Sequence, residues 1–263
     1  MIPRVLSVAG TDPTGGAGIH ADLKSIAAAG GYGMAAVTSL VAQNTCGVRS
    51  VHTPPPAFLR EQLDAVTDDV EVDAVKIGML GDVATVETVA DWLPDVLTVL
   101  DPVMVATSGD RLLPRDAEEA LRGLVAQAGV VTPNIPELAV LTGLEPATTL
   151  TGAVEQARRI ASPTTAVVVK AGHLSGPDAG NVWVHPDGVH HLPSPRVDTT
   201  TTHGTGCSLS SALATRLVTD APREALAWVT RWLHGAIVHG ADLHVGRGHG
   251  PVHHGWATSD PWS

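Results

Sequence analysis

In RVLSVAGTDPTGGAGIHADLKSIAAA, residues 4–29, a short apolar run (4–9) gives way to a glycine-rich turn (10–18) and then to a segment of helical periodicity (18–29). Strand, turn and helix in immediate succession form the repeating unit of a parallel α/β sheet. The same succession recurs downstream. Apolar runs at 35–42, 74–77, 96–100, 130–132 and 166–170 each end in polar or glycine residues, and helical-period stretches lie at 56–68, 85–92, 116–126, 136–141 and 153–160. This alternation predicts a doubly wound, mostly parallel sheet flanked by helices, with right-handed crossovers and ligands at the carboxyl ends of the strands. After Lys170 the pattern changes. Residues 181–184 and 189–192, joined through HPDG (185–188), predict a small β-hairpin with an Asp-Gly turn, and helices follow at 206–218 and 222–240. No internal repeat, linker or low-complexity tract interrupts residues 1–263, so one domain is expected.

Composition narrows the function classes. The chain has 263 residues, 44% apolar and 16% charged, which excludes disorder, and its 27 Gly and 19 Pro are scattered as turn punctuation rather than in a collagen period. A formal charge of −11 argues against nucleic acid or an anionic membrane as the main partner, so any phosphate must be held locally. The run 95–107 is broken by Asp101 and Pro102, and the apolar stretch 5–9 is too short for a secretory signal. No membrane helix and a cytoplasmic location are therefore expected. Cys46 and Cys207 are far apart and read as free thiols. With one Phe, one Tyr and six Trp, the core falls to aliphatic residues, as in a sheet buried on both faces.

The chemistry concentrates in HGTGCS (203–208). Alternate glycines just before a helix let successive backbone amides point at one anion. Cys207 falls in the first helical turn, where the dipole is expected to lower its pKa below the free value of about 8.5 and make it a base. The plainer reading is a glycine-rich helix start with a small buried Cys. GTDPTGGAG (10–18) is placed as a phosphate- or substrate-binding loop, yet it matches neither the Walker nor the dinucleotide spacing, and by itself a ligand-free turn explains it better. Asp22 follows one turn into the helix, as a ligand contact or a solvated residue. Further polar residues sit at strand ends: Gln43 and Asn44, Lys76 with Gly78 and Met79, Asp101, and Asn134 with Glu137. Each singly reads as a cap or turn residue, and Asn134 is a candidate cap for the helix holding Glu137. Together Asp101 and Glu137 form an oxygen pair of the kind magnesium prefers, completed by waters and a phosphate. His239, His244, His249, His253 and His254 crowd the last segment, but intervening glycines break any helical register and a metal site is not expected.

These motifs together resemble the hydroxymethylpyrimidine/phosphomethylpyrimidine kinases of thiamine biosynthesis, within the ribokinase-like superfamily. The likeness runs through 9–24, TSLVAQNTCGV (38–48), VDAVKIGMLG (72–81), LDPVMVATSGDRLL (100–113), TPNIPE (132–137), VKAGH (169–173), THGTGCSLSSALA (202–214) and GRGHGPVHH (246–254). The resemblance implies a ribokinase-like fold and an ATP- and Mg2+-dependent kinase. It would phosphorylate 4-amino-5-hydroxymethyl-2-methylpyrimidine and then the monophosphate. It places Gly10, Ala17, Asp22, Gln43, Met79 and Val103 against the pyrimidine, with Gln43 reading the ring's polar atoms. It makes Cys207, standing where most ribokinase relatives carry Asp, the acceptor of the substrate hydroxyl proton, with the amides of Gly204, Thr205, Gly206 and Cys207 stabilising the transferred phosphoryl. Asp101 and Glu137 would organise magnesium, while Asn134 and Lys170 line the nucleotide side. It also implies a homodimer, with the sheet edge and the segment after Asn44 as candidate interface.

Three positions depart from the family pattern: Thr107 stands where many members carry Lys, with Arg111 as a possible substitute cation; Ala171 replaces a usual Gly; and the 158–165 connection is short. The nearest alternative is a pyridoxal/pyridoxine kinase of the same superfamily. A non-catalytic pyrimidine-binding regulator and a cysteine hydrolase are alternatives of other classes, the latter lacking a motif-placed base partner although His203 is close in sequence.

Overall fold

The computed structural model describes residues 1–105 and 112–257, so Thr107 and Arg111 lie outside the described residues. The chain begins with β1 (Arg4–Ala9), α1 (Gly18–Ala28), β2 (Tyr32–Val37), β3 (Leu40–Asn44), β4 (Gly47–His52) and α2 (Pro56–Thr67). It continues through β5 (Ala74–Ile77), α3 (Val83–Trp92), β6 (Leu97–Leu100), α4 (Glu118–Val125), β7 (Val130–Val131), α5 (Ile135–Thr142) and α6 (Leu150–Ala157). It closes with β8 (Ala166–Lys170), β9 (Asn181–His185), β10 (Gly188–Leu192), α7 (Thr205–Leu217) and α8 (Pro222–Val238).

Among the described residues eight strands form one sheet in the order β10-β9-β8-β7-β6-β5-β1-β2. Pairing is parallel from β2 to β8 and antiparallel at β8–β9 and β9–β10, so the expected hairpin forms the edge of the main sheet. From β1 the chain winds first to β2 on one side, then returns to β5 and winds the other way. The crevice between β1 and β5 is thus the switch point, where loops at the carboxyl ends diverge and leave room for a ligand.

Successive strand residues enter opposite cores, as the period of two demands. Leu6, Val75, Leu100 and Val131 join Leu59, Leu63, Val86 and Leu124 of α2, α3 and α4. Their neighbours Val5, Ala74, Val99 and Val130 join Ile26, Leu209, Leu213 and Val229 of α1, α7 and α8. A fully buried leucine such as Leu63 contributes on the order of 2 kcal/mol by leaving water. Beneath α5 and α6 a third cluster unites Leu138 and Ala157 with Val167 and Val184. Among the described residues no helix is long and apolar enough to cross a membrane.

One expected strand is corrected. Residues 35–42 do not form a single element: β2 ends at Val37, and among the described residues β3 pairs only with β4, in a separate two-stranded sheet. Buried Thr38 and Ser39 cause the break by turning their polar groups to the switch point. The Thr38 hydroxyl donates to the Met79 carbonyl at 2.6 Å, and the Ser39 carbonyl accepts from the Thr11 amide at 2.9 Å. The β3–β4 hairpin, absent from the sequence expectation, carries Gln43 beside a bulge at Ala42/Gln43.

Candidate active site

A cavity of about 620 Å³ opens at the carboxyl ends of the central strands, a size suited to small-molecule ligands. Gly10 and Ala17 line it from the β1–α1 loop, Gln43 from β3, Met79 from the end of β5 and Val103 from beyond β6. Asp101, Asn134, Glu137 and Lys170 line the side fed by β6, β7, α5 and β8. Gly204, Thr205, Gly206 and Cys207 line it from the start of α7. Asp22 does not.

The turn before α7 depends on absent side chains. Gly204 has φ 79°, and a Cβ there would overlap the Gly16 carbonyl oxygen, so the two glycine loops touch backbone to backbone. Gly206 and Cys207 fall in the first turn of α7, where amides have no intrahelical acceptor and form the positive end of the helix dipole. Ser208 steadies this turn: its hydroxyl donates to the Gly204 carbonyl at 2.7 Å and meets His254 Nε2 at 2.8 Å. Both contacts are satisfied when Nε2 carries the proton, and burial accordingly pushes His254 down to about 4 and keeps it neutral.

The expected acidification of Cys207 is overturned. Burial pushes its thiol up to about 11. Lys76 and the Gly18 amide pull downward while Asp22 and Asp101 oppose them, so the helix N-terminus does not compensate for lost hydration.

Lys76 is also relocated. The sequence suggested a strand-end polar residue; instead it lies within β5, fully buried, with Nζ 2.8 Å from both carboxylate oxygens of Asp22. Ser7 and Ser211 hydroxyls donate to the same carboxylate at 2.6 and 2.7 Å. Asp22 therefore pins β1, β5, α1 and α7 beneath the cavity floor.

On the opposite wall Lys170 Nζ stands between two carboxylates, 2.6 Å from Asp101 Oδ1 and 3.6 Å from Glu137 Oε2. Glu137 closes a capping box with Asn134, each side chain bonding the other's backbone amide at the start of α5. Burial pushes the Glu137 carboxyl up, against the pull of Lys170. Among the described residues no group of three or more His, Cys, Asp or Glu is arranged around a metal position. Asp101 Oδ2 and Glu137 Oε1 nevertheless have no hydrogen-bond donor there, leaving two hard oxygens for a hydrated cation. Beyond Lys170 the cavity extends over His173, Arg196, Val197, Leu233 and Ile237. Arg196 clips the 171–176 turn by donating to the carbonyls of Gly172, Leu174 and Gly176.

His203 does not serve Cys207 as a base partner. Its Nε2 is 2.7 Å from Asp12 Oδ2. Asp12 escaped the sequence reading, although its place in the glycine loop before Pro13 marks a side chain able to bond its own turn.

The sequence profile described as phosphomethylpyrimidine kinase matches residues 12–253. The chain is 62% identical over 259 residues to the thiamine biosynthesis multifunctional protein ThiED of Corynebacterium efficiens, covering 96% of this chain and 35% of that protein. It thus spans about a third of the length of that relative. It is 45% identical to the hydroxymethylpyrimidine/phosphomethylpyrimidine kinase of Salmonella typhimurium, covering 95% of this chain and 97% of the relative. The ADP complex of Bacillus subtilis pyridoxal kinase superposes with a TM-score of 0.83 at 30% identity, covering 98% of this chain and 99% of that one.

Proposed function

The chain belongs to the phosphomethylpyrimidine kinase family, and on that premise we propose that it transfers the γ-phosphoryl group of ATP to the hydroxymethyl oxygen of 4-amino-5-hydroxymethyl-2-methylpyrimidine and then to the phosphate of the product. The observation that carries this reading is the meeting, in one cavity, of a first-turn cysteine, unpaired helix amides and a lysine between two carboxylates.

In the first step the hydroxyl oxygen bonds to the γ-phosphorus as the bond from that phosphorus to the bridging oxygen breaks. ADP leaves with the electron pair, and the hydroxyl proton passes to Cys207 in its thiolate form. The amides of Gly204 to Cys207 stabilise the charge spread over the phosphoryl oxygens, which is the main demand of such a reaction. Gly10, Ala17, Gln43, Met79 and Val103 hold the flat ring, while Asp22 acts from beneath them through its ion pair. Asn134 and Lys170 face the nucleotide phosphates, and the lobe lined by Arg196 and Leu233 takes the nucleoside.

Asp101 and Glu137 would hold magnesium through their open oxygens, with waters and phosphates completing its shell. The ion would supply neutralisation of the ATP phosphates. ATP as co-substrate supports a cytoplasmic setting. Exposed Tyr32, Leu40, Val51 and Phe58 lie on β2, β3, β4 and α2, which supports a homodimer through that edge. A single-chain mass by sedimentation would remove the dimer.

The test is phosphoryl transfer from magnesium-ATP to hydroxymethylpyrimidine, to its monophosphate and to pyridoxal, followed by mass. We expect both the mono- and diphosphate of the pyrimidine. The likeness to a pyridoxal kinase favours one other reading, and pyridoxal phosphate as the sole product would establish that reading instead.

A further inference from the structure

Asp12 is fully buried yet takes no part in the proposed chemistry. Its Oδ1 accepts the Thr14 amide at 2.9 Å and the Thr14 hydroxyl at 2.8 Å. Its Oδ2 accepts the amides of Gly16 and Ala17 at 3.2 and 2.8 Å and His203 Nε2 at 2.7 Å. Burial alone would raise the Asp12 pKa, but the bonds from His203 and Thr14 outweigh it and hold the carboxyl well below the usual range. A carboxylate only accepts, so the His203 nitrogen facing it carries a proton.

Those donors come from two separate cavity walls. Thr14 to Ala17 belong to the loop after β1. His203 immediately precedes the anion-binding turn, and its own amide is anchored to the Gly250 carbonyl at 3.0 Å. The carboxylate is thus a shared reference point for the ring-lining loop after β1 and the phosphoryl-stabilising turn before α7.

We propose that Asp12 and His203 are positioning residues that set the Gly10–Ala17 loop and the Gly204–Cys207 turn in register, so that the pyrimidine hydroxyl arrives in line with the transferred phosphoryl. This rests on the kinase reading above. A misplacement of about 1 Å at a reacting centre costs on the order of 100-fold, so a loosened register acts on turnover more than on folding.

The experiment compares wild type, His203→Ala and His203→Gln with hydroxymethylpyrimidine and magnesium-ATP. It also measures pyrimidine binding by calorimetry and thermal melting. In His203→Ala, kcat is expected to fall about 10- to 100-fold and the pyrimidine KM and Kd to rise several-fold, with the KM for ATP within about twofold of wild type. Glutamine keeps an N–H donor for Asp12, and His203→Gln is expected to recover most of both losses. Unchanged kcat and pyrimidine affinity in His203→Ala would overturn the proposal. So would equal loss in the two variants, or a fall in melting temperature with kinetics preserved. Failure of wild type to phosphorylate the pyrimidine would instead overturn the kinase reading, a separate result obtained before any variant is compared.

Discussion

Replacing Cys207 with alanine is expected to lower kcat for pyrimidine phosphorylation by about 100- to 10,000-fold, the range that a positioned proton acceptor contributes. The fold should persist, because only a small side chain lining the cavity is lost while the Gly204 turn and the Ser208–His254 contacts remain. The pH profile distinguishes a base from a mere packing group. With the Cys207 thiol pushed up to about 11, the reactive thiolate is a minor species at neutral pH. Its fraction rises about tenfold per pH unit below that value. Wild-type kcat/KM should therefore climb between pH 6 and 9, and the residual rate of Cys207→Ala should not. A Cys207→Ala enzyme retaining wild-type kcat, or the same pH slope, removes Cys207 from the reaction.

The largest stability effect is expected at Lys76. Lys76→Met leaves the Asp22 carboxylate buried at 0% exposure without its counter-ion, and breaking one side of a buried pair costs about 3–5 kcal/mol. Chemical denaturation should register this as a lower midpoint. A second change tests the cause. Asp22→Asn in the Lys76→Met background removes the stranded charge while keeping an acceptor for one of the Ser7 and Ser211 hydroxyls, and should recover a large part of the loss. A loss below about 1 kcal/mol for Lys76→Met would show that the pair is not held in charged form. Lys76 also draws the Cys207 thiol downward, so the activity profile of Lys76→Met should shift toward higher pH.

Much of the cavity wall was legible before any coordinates. The glycines at 204 and 206, Asn134 with Glu137 three positions on, Asp101 following β6 and Lys170 ending β8 all announce themselves through local rules of turns, caps and strand ends. The split between β2 and β3 was not legible. Residues 35–42 carry no glycine or proline to mark it, and the break comes from Thr38 and Ser39 bonding to loops after β1 and β5. Asp12 was missed and Lys76 misread for the same kind of reason: an isolated charged residue does not reveal whether its partner is water or a buried group far along the chain.

By itself the sequence determined the strand–helix alternation of the main sheet, the glycine turn before α7 and the cap of α5, because backbone sterics, side-chain periodicity and capping act over a few residues. The tertiary structure alone decided which charges are paired. Lys76 meets Asp22 across 54 positions and His203 meets Asp12 across 191. It also decided the sign of the shift at Cys207, where the helix start and Lys76 favour the thiolate but burial prevails. Such energies depend on separation and on water excluded in three dimensions, and neither quantity is written in the spacing of residues along the chain.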